Sequence, residues 1–168
     1  MYSGNPPWSQ PEPTAYPRND LVIECPHEKH GSAIFVKAGT TVESTLNSSF
    51  NNIEILRTTL NGLTITSIYK PPNEPFSIAC VPTSSKEVFI GDFNSHSTNR
   101  GYDQTNSDGQ AVEQWAEAQN LNLIHDAKLP KSFNSGRWKK GYNPDLIFVS
   151  SNIATLCNKL VRETIPKT

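Results

Sequence analysis

The sequence of 168 residues has few of the features that assign a chain to a class at sight. Its three cysteines, Cys25, Cys80 and Cys157, are far apart and lack Cys-x-x-Cys spacing. This argues against a disulfide framework or a zinc site and favours reduced thiols in an intracellular compartment. No long apolar run is present, which argues against a spanning helix and a secretory signal. The formal net charge is only −1, so any contact with nucleic acid must come from a local basic patch.

Proline, in contrast, is abundant, and many of the 13 prolines lie near the N-terminus. Residues 1–19 are rich in proline, serine and asparagine, a composition that cannot bury enough apolar surface to offset the entropy lost on ordering. We therefore expect a disordered tail over residues 1–19. Residues 20–168 have the length of one domain.

The rest of the chain predicts a mixture of strands and helices. Short β-rich runs predict strands at Leu21–Glu24, Ala33–Lys37, Asn52–Leu60, Leu63–Tyr69, Glu87–Asp92, Leu121–His125 and Asp145–Val149. Asn61-Gly62 predicts a type I′ hairpin turn between two of them. A capping box at Ser107 and Gln110 opens a helix whose buried stripe is Val112, Trp115, Ala116 and Gln119, and Ile153–Val161 predicts a second, short helix. This order favours an α/β or α+β sandwich over a doubly wound parallel sheet.

The end of the strand Glu87–Asp92 is the strongest chemical signal. Asp92 and Asn94 are two positions apart, so they share a face if the strand geometry continues. A carboxylate there suits Mg²⁺, and an amide can bind a phosphate oxygen or a water. Tyr69 and Asp145 also lie at predicted strand boundaries. From spacing alone an ordinary turn at residues 92–94 remains open, because Asp and Asn cap turns through their own side chains.

The most basic stretch combines cations with aromatic residues: Arg137, Trp138, Lys139, Lys140 and Tyr142. Gly136 and Gly141 bracket it, which indicates a projecting hairpin loop. Such a loop suits phosphate contact with base stacking, although composition equally allows a solvated surface turn. The four histidines, His27, His30, His96 and His125, lack a convincing metal-ligand spacing, and we interpret them as surface or turn residues.

Several motifs in order along the chain resemble the endonuclease/exonuclease/phosphatase superfamily. The broad match consists of Tyr69-Lys70-Pro71-Pro72, Val88–His96 and Asn143–Ser150. Pro26–Ile34, Gly91–Thr98 and Ser132–Trp138 extend it to the apurinic-endonuclease-like domain of arthropod non-LTR retrotransposons. The resemblance runs from about Leu21 to Thr168.

This resemblance implies a four-layer α/β (α+β) sandwich of the deoxyribonuclease I-like type that hydrolyses phosphodiesters with Mg²⁺ or Mn²⁺. It implies that Tyr69 contacts the scissile phosphate, while Asp92 and Asn94 position the attacking water and a phosphate oxygen. Asp145 would orient the imidazole of the family's closing His. The loop Arg137–Tyr142 resembles the hairpin that probes the DNA groove.

The sequence also departs from the family pattern. The family opens with a strand bearing Asn and a second strand bearing the Glu that is its principal metal ligand, and nothing before Leu21 resembles either. Glu24 and Glu28 match other positions of the pattern. The chain also stops short of the family's closing His. We therefore expect a domain truncated at both ends, a partial sandwich without the first strands and the last strand, with Asp92 as a weak metal ligand and negligible nuclease activity.

The function that these features predict is that of a DNA endonuclease from a retrotransposon-derived polyprotein, with a reverse-transcriptase domain in the parent element. Action on DNA implies a nuclear site of action. Two alternatives stay open at this point. One is a non-catalytic remnant that binds nucleic acid through residues 137–142, and the other is a phosphatase of the same superfamily that acts on a small phosphoester or a phosphoinositide.

Overall fold

The computed structural model describes residues 19–26, 31–77, 82–125, 129–131, 133–136 and 140–160. The predicted tail therefore lies outside the described residues, apart from Asn19, which begins the first strand. His27 and His30 also lie outside them. In the described part of the chain, no helix has the length and apolar character needed to cross a membrane.

The described residues form ten strands, one α-helix and two short 3₁₀ helices. The strands are β1 (Asn19–Cys25), β2 (Ser32–Lys37), β3 (Val42–Phe50), β4 (Ile53–Leu60), β5 (Leu63–Tyr69), β6 (Glu87–Asp92), β7 (Leu121–Leu123), β8 (Phe133–Ser135), β9 (Lys140–Tyr142) and β10 (Asp145–Ser150). The helix α1 spans Ser107–Ala118, and the 3₁₀ helices span Thr98–Arg100 and Ser151–Leu156. The predicted α+β class is confirmed.

One six-stranded sheet organises the fold, in the order β3-β4-β5-β6-β10-β7. Strands β5 and β6 run parallel, whereas the other neighbours run antiparallel. The C-terminal ends of β5 and β6 therefore lie side by side at one end of the strands, and β10 begins at that same end. The hairpin β1–β2 lies against β3, β4 and β5, and β8–β9 forms a separate hairpin.

The turn between β4 and β5 is the one that the sequence predicts. Asn61 and Gly62 have φ angles of 50° and 72°, as a type I′ turn requires at both central positions. Leu60 pairs with Leu63, and the register continues without a shift to the pair Glu54 and Tyr69. A two-residue turn thus fixes which residue faces Tyr69.

The main core lies between α1 and one face of the sheet. Phe89, Phe93 and Phe148 surround the indole of Trp115 with ring centroids 5.3, 6.1 and 5.6 Å away. Two of these contacts are edge-on, the arrangement that the charge distribution of aromatic rings favours. Val112 is fully buried on the same side of the helix. Because the side chains of successive strand residues point to opposite faces, the residues adjacent to Phe89 and Phe148 face the other side of the sheet.

Helix α1 begins one residue earlier than its sequence signal indicates. Asn106, not Ser107, is the N-cap, and its side-chain oxygen accepts a hydrogen bond from the N–H of Gly109 at 2.7 Å. Val112, Trp115 and Ala116 are buried as predicted, whereas Gln119 lies at the C-cap. The cap changes because the oxygen of Asn106 also accepts from the N–H of His96, which ties the helix to the loop after β6.

One strand that was not predicted and two elements with different bounds are the main differences from the sequence prediction. Strand β3 was not predicted, because Val-Glu-Ser-Thr-Leu-Asn-Ser-Ser-Phe is polar; it forms a sheet edge and is exposed along almost its whole length. The strand predicted to end at His125 ends at Leu123. The predicted helix Ile153–Val161 is instead a 3₁₀ helix over Ser151–Leu156, and Leu156 is 81 % exposed, so no apolar contact extends it.

Candidate active site

The sheet register brings four polar side chains into one row. Tyr69 on β5 pairs with Glu54 on β4 and with Asp92 on β6, and Asp92 pairs with Asp145 on β10. Directly paired residues point to the same face, with Cβ atoms about 5 Å apart in antiparallel pairs. Ile55, Ile68 and Leu146, next to members of this set, belong to the core under α1. The strand-end row, Glu54, Tyr69, Asp92 and Asp145, therefore lies on the opposite face.

Three of the four catalytic residues predicted from the sequence thus lie together in neighbouring strands. The fourth, Asn94, follows directly after β6. It has a φ of 41°, in the left-handed region that Asn tolerates better than most residues. Its Nδ2 donates to the carbonyl oxygen of Lys70 at 2.9 Å, which returns the side chain toward the end of β5.

Backbone hydrogen bonds hold the strand ends that carry these residues. The N–H of Lys70 donates to the carbonyl oxygen of Asp92 at 2.9 Å. The N–H of Phe93 donates to the carbonyl oxygen of Pro144 at 3.2 Å, just before β10. The ends of β5 and β6 and the start of β10 are therefore joined at the level of the strand-end row.

The side chain of Lys70 is structural. It is fully buried, and its Nζ lies 3.0 Å from Oδ2 of Asp108 in α1 and 2.7 Å from the carbonyl oxygen of Glu74. The other oxygen of Asp108 accepts from the N–H of Phe76 at 2.8 Å. The ammonium group thus ties the end of β5 to the start of α1, and it is not presented to a ligand.

Gly91 allows the backbones of β5 and β6 to approach each other closely beside the strand-end row. A Cβ built at this position would lie 1.8 Å from the carbonyl oxygen of Ile68, and φ is 154°. No side chain fits there without separating the two strands. The glycine that precedes Asp92 is therefore required by the close packing of the backbones.

Asp92 is the half-buried carboxylate of the row. Its Oδ1 accepts a hydrogen bond from the backbone N–H of Asn94 at 2.9 Å. Burial raises the pKa of Asp92 above its usual value, and the negative charge of Asp145 raises it further. The hydrogen bonds from Asn94 and the positive charge of Lys70 lower the pKa, but they only partly offset this rise. A carboxylate in this environment gains from a nearby cation or from a proton.

Tyr69 remains a hydrogen-bond donor in the same environment. Burial and then the charges of Asp92 and Glu54 raise the pKa of its phenol above the usual value. Ionisation would add a further negative charge beside the carboxylates of Asp92 and Glu54, so the hydroxyl group keeps its proton at neutral and mildly alkaline pH. It can donate to an anionic ligand.

Glu54 is the member of the row that the sequence reasoning missed. It is 8 % exposed, and its Oε2 accepts a hydrogen bond from Oγ of Ser32 in β2 at 2.7 Å. The signal was nevertheless present: pairing outward from the Asn61-Gly62 turn places Glu54 opposite Tyr69. Glu24 and Glu28, which are closer to the start of the chain, are the acids that the sequence alone brings into consideration.

Two lysines add positive charge near the row. The Nζ of Lys159 donates to the carbonyl oxygen of Asp145 at 3.2 Å. Partial burial lowers the pKa of Lys159, the carboxylate of Asp145 opposes this effect, and the charge of Lys131 lowers the pKa further. The ammonium groups of Lys131 and Lys159 are therefore near enough to interact at the β10 end of the site.

A cavity of about 670 Å³ opens beside Asp92 and Asn94. The other residues that line it are His96, Tyr102, Asp103, Gln104, Phe133, Tyr142 and Pro144. The rings of His96 and Tyr102 stack with centroids 4.4 Å apart and planes 13° apart, and those of Tyr102 and Tyr142 stack at 5.1 Å and 21°. We call these three rings the aromatic stack. His96, which the sequence indicates to be a surface or turn residue, is exposed and lines this cavity, whereas no sequence signal indicates Tyr102.

The basic loop is described only at its flanks. Arg137, Trp138 and Lys139 lie outside the described residues. On either side of them β8 and β9 pair as an antiparallel hairpin, with Phe133 opposite Tyr142. This agrees with the predicted hairpin, and it directs Tyr142 to the cavity beside Asp92. Lys140 is the first residue of β9.

Metal ligation is sparse in the described part of the chain. There, no group of three or more His, Cys, Asp or Glu side chains converges on a position that could hold a metal ion. Asp92 and Asp145 are nevertheless paired residues whose charges repel. Such a pair fits an ion that takes one or two carboxylates and keeps most of its waters, as Mg²⁺ does.

Comparisons with known proteins concern the fold and the family of the chain. A family model described as endonuclease-reverse transcriptase matches residues 63–165, which is more than half of the chain and includes Tyr69, Asp92, Asn94 and Asp145. A solved structure described as the endonuclease domain of TRAS1, a telomere-specific non-LTR retrotransposon, is similar with a TM-score of 0.59. The sequence identity is 17 %, and the match covers 80 % of this chain and 66 % of that chain. No curated protein sequence matches the chain. At this identity the structural likeness shows the fold, and the predicted deoxyribonuclease I-like type is confirmed.

Proposed function

The chain belongs to the endonuclease-reverse transcriptase family, and we propose that it hydrolyses phosphodiester bonds of DNA at the strand-end row. One observation carries this proposal: the sheet register places Asp92 between Tyr69 and Asp145 on a single face. An ordinary turn at residues 92–94 would not need a phenol on one side and a second carboxylate on the other. The cavity beside Asp92 gives a substrate access to these groups.

Each residue has a role that follows from its contacts. Tyr69, which keeps its proton, donates a hydrogen bond to a non-bridging oxygen of the scissile phosphate. The amide nitrogen of Asn94 is engaged with Lys70, so the amide oxygen is the part suited to hold the attacking water. Asp92 positions this water together with Asn94, and the proton that the water loses passes to solvent. The water oxygen bonds to phosphorus as the bond to the leaving sugar oxygen breaks, and that oxygen takes a proton from solvent.

Asp92, together with Asp145, would hold a divalent cation. When bound, Mg²⁺ or Mn²⁺ polarises a phosphoryl oxygen and neutralises the charge that develops on it. With two carboxylates as the described ligands, the affinity for the ion is low and the turnover of this chain is slow. By the family pattern that its motifs resemble, Asp145 would also orient a histidine.

The lysines beside Asp145 support DNA as the substrate. Lys131 and Lys159 place two ammonium groups at the β10 end of the row, where they can contact backbone phosphates on either side of the cut. Residues 137–142 would add further contacts. A DNA substrate would place the protein in the nucleus, and the family description implies a reverse-transcriptase domain in the parent polyprotein.

A nicking assay on supercoiled plasmid tests the proposal. We expect slow nicking with Mg²⁺ or Mn²⁺ that is abolished by EDTA and by Asp92→Asn, and that falls about 100-fold in Tyr69→Phe because one donor to the phosphate is lost. Glu117→Gln, at an exposed carboxyl on α1, is the matched control and should nick as the unaltered chain does. Nicking that persists in Asp92→Asn would show that the row is not the catalytic site.

A second candidate is non-catalytic binding of nucleic acid. The observation in its favour is that no three metal-ligating side chains converge within the described residues. A pure binder would retain plasmid with strong salt dependence and no metal requirement, and it would nick no faster than Asp92→Asn. The phosphatase alternative would show release of phosphate from a soluble phosphoester, with no nicking of DNA.

A further inference from the structure

We propose that two copies of this chain associate through β3, which pairs antiparallel with the β3 of the other copy and joins the two six-stranded sheets into one. The pairing is centred on Ser48, so that Leu46 of each copy faces Phe50 of the other. This inference concerns the outer edge of the sheet, and it does not rest on the proposed hydrolysis.

Strand β3 is the long edge of the main sheet. It has nine residues and lies at one end of the strand order, whereas β7, at the other end, has only three. Within the described residues, no strand pairs with the outer side of β3. An edge strand presents backbone N–H and C=O groups with which a further strand can pair. Proteins usually protect such an edge with a short strand, charged side chains, proline or a bulge.

Most of β3 has none of this protection. An irregularity in the pairing with β4 lies between Val42 and Ser44, and from Ser44 to Phe50 the register is continuous. The strand contains no proline. Its one ionisable side chain, Glu43, accepts a hydrogen bond from the N–H of Gly62 at 2.9 Å. The segment Ser44–Phe50 is therefore a regular and uncharged edge.

Two apolar side chains of this segment are exposed. Leu46 is 49 % exposed and Phe50 is 47 % exposed. Leu46 pairs with Arg57 of β4, and Phe50 pairs with Ile53, which is fully buried and belongs to the core under α1. Because directly paired residues point to the same face, Leu46 and Phe50 lie on the core face of the sheet, at its margin. An apolar partner at this edge would extend the core.

The hairpin β1–β2 does not cover these two side chains, because it lies on the opposite face. The Nδ2 of Asn47 donates to the carbonyl oxygen of Glu24 in β1 at 2.9 Å. Successive strand residues point to opposite faces, so this contact places β1 on the face away from Leu46 and Ser48. The outer edge of β3 and its apolar side chains are thus open to a partner from the side.

A two-fold axis at Ser48 makes this segment complementary to its own copy. In an antiparallel pair of identical strands, residues equally far from the axis face each other, so Leu46 faces Phe50 twice and Asn47 faces Ser49 twice. Directly paired apolar side chains stabilise an antiparallel pair. Ser48 alone meets its own copy, and its uncharged hydroxyl group can both donate and accept a hydrogen bond. No like charges therefore oppose each other across the axis.

The association ends at two copies and leaves the candidate active sites open. Both outer edges of the joined sheet would be β7, which is too short to continue the pairing. Asp92 lies on β6, the third strand from β3, so the two copies of Asp92 would be roughly 34 Å apart. One strand from each copy makes an interface of less than the standard size, and we expect a weak dimer with a micromolar dissociation constant.

Sedimentation velocity of the full chain tests the association. Between about 1 and 300 µM, concentrations that span a micromolar dissociation constant, the sedimentation coefficient should rise from that of a monomer to that of a dimer. Ser48→Lys sets two ammonium groups against each other at the axis and should raise the dissociation constant at least about tenfold. Ser44→Lys, the same change at an exposed position outside the directly paired residues, is the control and should dimerise as the unaltered chain does.

A cysteine on the axis tests the register without weakening the pairing. Directly paired residues of antiparallel strands have Cα atoms about 5 Å apart, within the reach of a disulfide bond, so Ser48→Cys should form covalent dimers on mild oxidation. The two copies of residue 44 would be roughly 26 Å apart, so Ser44→Cys should cross-link no more than the unaltered chain. A monomer at every concentration, assembly beyond the dimer, or equal cross-linking of the two cysteine variants would overturn the inference.

Discussion

Asp92 and Asp145 face each other as paired residues of β6 and β10, two carboxylates on the same side of the sheet. Burial and the charge of Asp145 both raise the pKa of Asp92, so the charged form of Asp92 is disfavoured in the folded protein. A purely structural position would gain by replacing one of these acids. Their pairing indicates that the row lowers the stability of the fold and keeps two carboxylates where they can bind a ligand.

The first prediction is that Asp92→Asn stabilises the protein at pH 8. A carboxyl whose pKa is higher in the folded than in the unfolded state loses stability as pH rises through the folded pKa. The amide has no charge to bury and keeps the oxygen that accepts from the N–H of Asn94. The melting temperature of the variant should exceed that of the unaltered chain at pH 8, and the difference should vanish below the usual pKa of 3.8.

Glu117→Gln is the control for this measurement. It also replaces a carboxyl with an amide, but on the exposed side of α1. Its melting temperature should follow that of the unaltered chain across the pH range. If Asp92→Asn melts no higher than the unaltered chain at pH 8, the repulsion between Asp92 and Asp145 is not a cost to folding.

The second prediction concerns the buried ammonium group under the site. Lys70→Met leaves the carboxylate of Asp108 without its cation at 3.0 Å, in a position that is only 16 % exposed. Removal of one partner from a buried ion pair typically costs about 3–5 kcal/mol. Urea denaturation should show a loss of this size. It should also lower nicking, because loss of the buried ion pair lets the backbone of residue 70, which is hydrogen-bonded to both Asp92 and Asn94, shift.

Lys86→Met is the matched control for Lys70→Met. Lys86 is exposed and immediately precedes β6, so the same substitution there removes a charge without leaving a buried partner. Its unfolding free energy should change by less than about 0.5 kcal/mol. A similar loss in both variants would mean that methionine itself, rather than the broken ion pair, is responsible.

The third prediction is that Gly91→Ala separates β5 from β6. The new Cβ would meet the carbonyl oxygen of Ile68 at 1.8 Å, and backbone atoms cannot rotate away as a side chain can. Overpacking of this kind costs at least about 2 kcal/mol. Urea denaturation measures the loss. Gly136→Ala, at an exposed turn where the same construction meets no atom within 4 Å, should be nearly neutral and serves as the control.

The parts of the site that could be predicted from the sequence are those set by local signals, such as strand ends and turns. Tyr69, Asp92 and Asp145 were predictable together because each lies where a strand meets a turn or proline signal, and strand ends of one sheet gather at an edge. Glu54 could have been found by pairing outward from Asn61-Gly62. Strand β3 was missed because an exposed edge strand carries no alternating pattern.

The aromatic stack lay beyond the reach of sequence reasoning for a different reason. Tyr102 and Tyr142 are far apart in the chain and meet only because the loop after β6 and the β8–β9 hairpin fold over the same cavity. No periodicity or spacing rule encodes such a contact. His96 has no ligand-like spacing, so its ring is informative only once its stacking partner is known.

The fourth prediction separates stability from function along a single strand. Glu87, at the start of β6, is fully buried; its Oε1 lies 3.1 Å from Nη2 of Arg57, and its Oε2 accepts from the N–H of Thr83 at 2.7 Å. Glu87→Gln removes the charge and leaves the guanidinium group of Arg57 without this partner, which should cost about 3 kcal/mol. Five residues of strand, roughly 17 Å, separate this position from Asp92. At temperatures well below melting, binding and nicking should therefore match those of the unaltered chain, whereas the melting temperature falls. A large change in nicking with an unchanged melting temperature would instead mean that the charge of Glu87 acts on the row through the sheet.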